Sequence, residues 1–108
     1  MDLINTIAEE MRTVTLPPQV IDDYKVKLSG EFYRLSELLN IILTRKPVLW
    51  LTKRNDFTSD TQCERWWQAT QDGIDEMLLR SRMKSVEKLL SALSSRLRLL
   101  EQEARNQI

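Results

Sequence analysis

The sequence predicts an all-α fold: a compact bundle of about four helices with a long C-terminal amphipathic helix. Apolar residues recur at three- and four-residue steps along most of the chain, as one buried face of an α-helix requires. Only two glycines and three prolines occur in 108 residues. Residues typical of tight turns are therefore too few for the frequent turns of a sheet. A chain of this length fits a single helical-bundle domain, 1–108, that buries a core without disulfides or metals.

The first two helices are predicted over residues 2–14 and 19–44. Asp2 suits the N-cap of the first helix. The pair Pro17-Pro18 ends it, because proline lacks a backbone donor and disfavours helix just before it, and Pro18 then suits the first turn of the second helix. The inner faces follow helical spacing: Ile4, Ile7, Ala8 and Met11 in the first helix, and Ile21, Tyr24, Leu28, Phe32, Leu35, Leu39 and Ile42 in the second.

Two positions, one within the second predicted helix and one just after it, are unfavourable to helical structure. Gly30 costs about 1 kcal/mol relative to alanine in a helix interior, so it is either tolerated there or allows close contact with another helix. Lys46-Pro47 marks the predicted exit of the second helix. Residues 45–58 are then expected to form an irregular connection, which could contain a helical turn through Leu51. Connections this long are more often functional than plain links.

The third helix is predicted to begin near Ser59 or Thr61, since Ser59 with Gln62, or Thr61 with Glu64, matches a capping box. Asp72-Gly73 is expected to kink it or briefly break it. Its inner face is marked by Cys63, Trp66, Trp67, Thr70, Ile74, Met77 and Leu78.

The last helix has the clearest pattern, a heptad seam held for about three heptads. Leu79 extends the seam backwards, while Leu89 and Leu99 widen the apolar stripe beyond a two-stranded seam. The wider stripe favours packing in a bundle, with a coiled-coil dimer as the alternative. The seam residues are Met83, Val86, Leu90, Leu93, Leu97, Leu100 and Ala104.

The sequence contains few of the side chains that catalysis and metal binding usually require. No histidine occurs, which removes histidine-based nucleophile systems and general bases. Cys63 is the single cysteine, so it cannot supply a zinc site alone. The paired carboxylates are sequence neighbours, which point about 100° apart on a helix. We therefore expect no enzyme activity, no cofactor and no metal.

The same cysteine bears on the compartment. A lone thiol forms no internal disulfide, which favours the reducing cytosol. The N-terminus lacks a signal-peptide pattern, and no apolar run approaches a membrane span. We expect a cytoplasmic protein without membrane contact.

Charge is distributed in blocks, although the formal net charge is zero. Residues 41–54 carry four basic groups and no acidic one, and residues 79–108 carry seven basic and three acidic. Each cluster has two possible interpretations. It is a solvated helix face, or it binds a phosphate backbone through contacts that weaken with salt. The nucleic-acid-binding candidates are Arg45, Lys46, Lys53, Arg54, Arg80, Arg82, Lys84 and Lys88, and Arg96, Arg98 and Arg105 follow further along.

The tryptophans are candidate anchors for a partner. Trp50 is flanked by cations and has two possible roles. It stacks on a base or packs against a partner protein, or it is buried in the core with its apolar neighbours. Trp66 and Trp67 diverge on a helix, so one is expected to be buried and the other nearer the surface. We predict partner contacts at Trp50 and Trp67, because half-exposed tryptophans are frequent interface anchors.

The whole-chain helical layout, the basic segment 45–54, and Arg80, Arg82, Lys84 and Lys88 together resemble the small subunit of Cascade-type (class 1) CRISPR effector complexes. The resemblance implies a short, all-helical, non-enzymatic protein that assembles in several copies. It further implies that scattered lysines and arginines hold guide RNA and target DNA backbones without reading sequence. Alternating acidic and basic blocks suit a subunit that stacks on copies of itself.

Two functions are therefore expected from the sequence. The first is a helical subunit of a nucleoprotein complex in CRISPR antiviral defence, which contacts RNA or single-stranded DNA phosphates and neighbouring subunits, including copies of itself. The alternative is an oligomerisation or adaptor protein that acts through the 83–104 heptad seam without nucleic acid.

Overall fold

The computed structural model describes residues 2–106, and the fold class is the predicted all-α one. No strand occurs among these residues, and a long amphipathic helix ends the described chain. The helices are α1 (Leu3–Thr13), α2 (Pro18–Arg54), α3 (Asp60–Ala69) and α4 (Gln71–Asn106). Their contacts fall into two compact units. Unit 1 comprises residues 2–33 and 84–106, and unit 2 comprises residues 34–83.

Helix α1 begins where the sequence predicts. Asp2 is its N-cap, and the Asn5 backbone N–H donates to the Asp2 carboxylate at 2.9 Å. This bond satisfies one of the free donors at the helix start, which typically stabilises a helix by about 1 kcal/mol. Val14 takes an extended backbone conformation and ends α1 three residues before Pro17.

The core of unit 1 contains the predicted inner faces of α1, of the first half of α2 and of the last helix. The most deeply buried side chains are Ile7, Ile21, Leu28, Val86 and Leu93. Two members of the heptad seam are thus fully covered within the chain, and the wide stripe packs internally, as expected of a bundle.

Two polar contacts accompany this core. The Tyr24 hydroxyl donates to the Glu10 carboxylate, and this hydrogen bond, followed by burial, raises the pKa of Tyr24 above its usual value. The Arg96 guanidinium donates to the Met11 carbonyl oxygen near the end of α1. Both bonds join residues far apart in sequence, so they fix α1 against the two longer helices of its unit.

The core of unit 2 is built around Trp67, whose side chain is 1% exposed. Leu35, Leu39, Ile42 and Cys63 are buried in the same unit. Cys63 is a free thiol without exposed surface, so it serves here as a small apolar side chain.

Helix α2 corrects the predicted irregular connection over 45–58. It continues through Pro47 to Arg54, so residues 55–59 alone link α2 to α3. Proline removes one backbone hydrogen bond and crowds the carbonyl four residues earlier. Just before the proline, Arg45 pairs with Asp72 at 2.9 Å and Lys46 pairs with Glu76 at 3.2 Å, both on α4. Beyond the proline, Arg54 in the last turn of α2 pairs with Asp60 of α3 at 2.6 Å.

The start of α3 follows one of the two predicted alternatives. Ser59 is the N-cap, and its hydroxyl accepts from the Gln62 backbone N–H at 3.2 Å. The Gln62 side chain reaches back to the Thr58 N–H at 3.0 Å, one residue before the position a capping box specifies.

The corner between α3 and α4 replaces the predicted kink at Asp72-Gly73. The chain breaks at Thr70, which adopts an extended conformation, and α4 begins at Gln71. The Thr70 hydroxyl donates to the Trp67 carbonyl oxygen and accepts from the Gly73 N–H. Gly73 packs so tightly that an added Cβ would lie 1.8 Å from the Trp67 carbonyl oxygen. This close approach explains why glycine occupies the first turn of α4.

Candidate nucleic-acid interface

One face of α4 in unit 1 carries cations and small polar side chains that are all exposed. We name its four cations, Lys84, Lys88, Arg98 and Arg105, the α4 basic face. At 100° per residue these positions fall within an arc of roughly 100°. Between them lie other exposed polar residues, Ser91, Ser95 and Gln102. The face extends over about 32 Å, from the 1.5 Å rise per residue.

The electrostatics of this face differ from those of the remaining basic clusters. Within the described residues, none of its four cations forms an ion pair or side-chain hydrogen bond. Two carboxylates lie one helical turn from these cations: Glu87 is three residues from Lys84, and Glu101 is three residues from Arg98 and four from Arg105. The positive charges therefore face solvent without ion pairs among the described residues, although these carboxylates reduce the net charge nearby.

The first predicted cluster, over residues 45–54, is instead paired with carboxylates that lie between positions 56 and 76. Besides the Arg45–Asp72 and Lys46–Glu76 pairs, Lys53 pairs with Asp56 at 3.1 Å and Arg54 with Asp60 at 2.6 Å. Lys46 and Glu76 are the least exposed of these pairs. Because each cation already has a carboxylate partner, this cluster offers phosphate less charge than the sequence predicts.

The second predicted cluster is divided by its surroundings. Arg80 lies 3.5 Å from Glu76. Arg82 is half-buried and lines an apolar groove of unit 2. Lys84 and Lys88 are exposed and belong to the α4 basic face. Of the eight predicted nucleic-acid-binding residues, these two have the surroundings that phosphate contact requires.

The tryptophan predictions separate in the same way. Trp67 is buried in the core of unit 2, so the prediction that it contacts a partner is corrected. Trp67 lies four residues after Cys63 on the inner face of α3, and both side chains are buried. Its indole N–H has no acceptor, and the Lys46 ammonium lies 5.2 Å from its ring centre. Trp66 is half-buried and lies 6.4 Å from the ring of Phe57.

Trp50 is half-buried and keeps an edge at the surface. It borders a shallow depression of about 430 Å³ with polar residues of α3, and the Lys46 ammonium lies 5.9 Å from its ring centre. Its neighbours Val48 and Leu51 are exposed, so the apolar run does not enter the core as a block. A partner contact at Trp50 stays a prediction.

The periodicity did not reveal one surface, an apolar groove in unit 2. It is formed by Leu38, Ile41 and Ile42 of α2 with Leu78 and Leu79 of α4, and its volume is about 340 Å³. Leu38 and Ile41 lie beside the predicted stripe of α2. Their apolar character one step outside that stripe was the signal that could have indicated a second apolar face.

No group of three or more metal-ligating side chains occurs within residues 2–106. Over the same range, no helix combines the length and the apolar character needed to cross a membrane. Comparisons of the chain with protein-family models, with curated proteins and with solved structures find no match.

Proposed function

We propose that this protein is a non-enzymatic helical subunit of a nucleoprotein complex that supports single-stranded nucleic acid through phosphate contacts. The observation that supports the proposal is the α4 basic face, four exposed cations that pair with no residue in the range 2–106, over about 32 Å of one helix. The small subunits of CRISPR effector complexes, which the sequence resembles, belong to this functional class.

The chemistry of the face suits backbone contact and not base recognition. Lysine and arginine on a straight helix can each contact one phosphate, and such contacts orient a strand without reading its sequence. Serines 91 and 95 lie between the cations and add hydroxyl donors to phosphate oxygens. No aromatic side chain lies on the face for base stacking, so binding is expected to be tolerant of sequence and sensitive to salt.

The alternative adaptor function through the 83–104 seam is less favoured by the geometry. Val86 and Leu93, at the centre of the seam, have no exposed surface. A partner helix would have to displace the internal packing of unit 1 to reach them.

The test is fluorescence anisotropy of a labelled single strand titrated with purified protein across a salt series. Four phosphate contacts to a single strand predict a slope of log K against log salt of about −3. Lys84→Glu with Lys88→Glu removes two contacts, so the slope should become shallower by about 1.4 units and the affinity should fall at least about tenfold at low salt.

Two matched variants serve as controls. Lys84→Arg with Lys88→Arg keeps both charges and should bind like the wild type. Lys27→Glu with Arg65→Glu changes the net charge equally at exposed positions of α2 and α3 and should have the smaller effect. Equal losses in the two charge-reversal variants, or no binding by the wild type at low salt, would refute the proposal.

A further inference from the structure

The apolar groove of unit 2 has the character of an uncovered interface. Leu38, Ile41 and Leu78 are 40%, 55% and 51% exposed at its rim. Single exposed apolar residues are ordinary, whereas apolar side chains gathered around one concave surface mark interaction sites. A groove between two helices can receive an apolar ridge from a third helix.

An apolar ridge on α4 adjoins this groove and shares Leu78 with it. Ile74 and Leu78 are both exposed and lie one helical turn apart. Together they form an apolar ridge that unit 2 covers in part, since Ile74 is 37% and Leu78 is 51% exposed. A second copy of the chain would therefore bring both a groove and a ridge to the same interface.

The charges along α4 favour a second copy as the occupant. Asp75 and Arg82 both line the groove, they are one heptad apart, and Leu78 and Leu79 lie midway between them. If two copies of α4 pack antiparallel about that midpoint, Asp75 of each copy faces Arg82 of the other. One oxygen of Asp75 accepts from the Gln71 side chain at 2.8 Å, and the second remains for an arginine. Arg82 already interacts within its own chain, and the five N–H donors of its guanidinium allow a further bond to a carboxylate.

We propose that two copies of this chain associate through the unit 2 groove with two-fold symmetry. The Leu78 side chain of each copy enters the groove of the other, and the two Asp75–Arg82 pairs set the antiparallel register. A two-fold interface uses the same patch on both copies and is closed, so it yields a dimer and not a fibre. The proposal is independent of the proposed function, because the α4 basic face contributes nothing to this interface.

The experiment is analytical ultracentrifugation over a wide concentration range, with charge-reversal variants at the two paired positions. Asp75→Lys places two cations opposite each other in both contacts, and Arg82→Glu places two carboxylates opposite each other. Each variant alone should self-associate at least about tenfold more weakly than the wild type, because like charges then meet across the interface. An equimolar mixture of the two variants should form a heterodimer, since both contacts then join opposite charges.

The apolar part of the interface is tested with a matched pair. Leu78→Asp should abolish association, while Leu99→Asp, at an exposed leucine of unit 1, should leave it unchanged. Far-ultraviolet circular dichroism establishes that each variant is folded. The Lys84→Glu, Lys88→Glu protein should dimerise like the wild type, so the two proposals fail separately.

A wild-type protein that is monomeric at every concentration would overturn the proposal. Association that survives Leu78→Asp would also overturn it, as would a failure of the mixed charge variants to pair.

Discussion

At the residue scale, the two glycines occupy opposite environments. Gly30 lies exposed in the interior of α2, and nothing lies within 4 Å of a Cβ added there. The sequence left two possibilities for it, tolerance or close contact with another helix, and the structure supports tolerance. At Gly73 the added Cβ would overlap the backbone of Trp67. Because the overlapping atoms belong to the backbone, a side-chain movement cannot relieve this overlap.

This contrast predicts stability changes of opposite sign for the same substitution. Gly30→Ala should raise the free energy of unfolding by about 0.5–1 kcal/mol, since alanine lowers the backbone entropy of the unfolded chain. Gly73→Ala should lower it by about 2–3 kcal/mol, because the corner between α3 and α4 must open. Urea unfolding of both variants measures the changes. A neutral Gly73→Ala would contradict the tight corner.

At the element scale, local signals predicted helix starts well and one helix end poorly. Asp2 and Ser59 cap their helices by accepting hydrogen bonds from backbone N–H groups three residues later. Both partners of such a bond lie within one short sequence pattern. The end of α2 was placed at Lys46-Pro47 on a rule that is also local. Beyond Pro47 the helix contacts α3, through the Arg54–Asp60 pair and through Lys53 beside the Trp66 ring, and no periodicity encodes such partners.

The difference between local signals and distant contacts also determines how much of the candidate site could be predicted. Lys84 and Lys88 were identified by spacing alone, because their one requirement is an exposed helix face. Arg45 and Lys46 were identified by composition, but they are paired with the carboxylates of Asp72 and Glu76 on α4. Charge blocks in a sequence therefore locate cations, and only the fold shows which of them remain unpaired.

The passage of α2 through Pro47 predicts a stabilising substitution. Pro47 is exposed, so Pro47→Ala loses no core packing, regains a backbone hydrogen bond and removes a clash. We expect the free energy of unfolding to rise by about 2 kcal/mol, somewhat less than the full cost of an interior proline because the unfolded chain gains entropy.

Pro18→Ala is the control for this substitution. Pro18 is the first residue of α2, a position where proline is favourable, so its replacement should be neutral or slightly destabilising. Thermal unfolding followed by circular dichroism compares the two variants. Equal effects at Pro47 and Pro18 would mean that the helix does not constrain Pro47 as described.

At the scale of the whole molecule, α2 and α4 each contribute residues to both compact units. Separate unfolding of one unit would require each long helix to melt at an interior point while the rest stayed folded. Helix formation is cooperative, and the exposed apolar surface at such a break would have no compensation. The single domain over residues 1–108 stays a prediction, and cooperative unfolding of both units is the behaviour that it requires.

The aromatic residues allow that prediction to be tested without labels. The three tryptophans lie within residues 34–83, and the two tyrosines lie within residues 2–33. In urea, tryptophan fluorescence therefore follows unit 2, while the tyrosine bands of second-derivative ultraviolet absorbance follow unit 1. We expect coincident transitions, the criterion of two-state unfolding, and Gly73→Ala should lower both midpoints equally although it lies in unit 2. Tyrosine signals that keep the wild-type midpoint in this variant would show instead that the two units unfold independently.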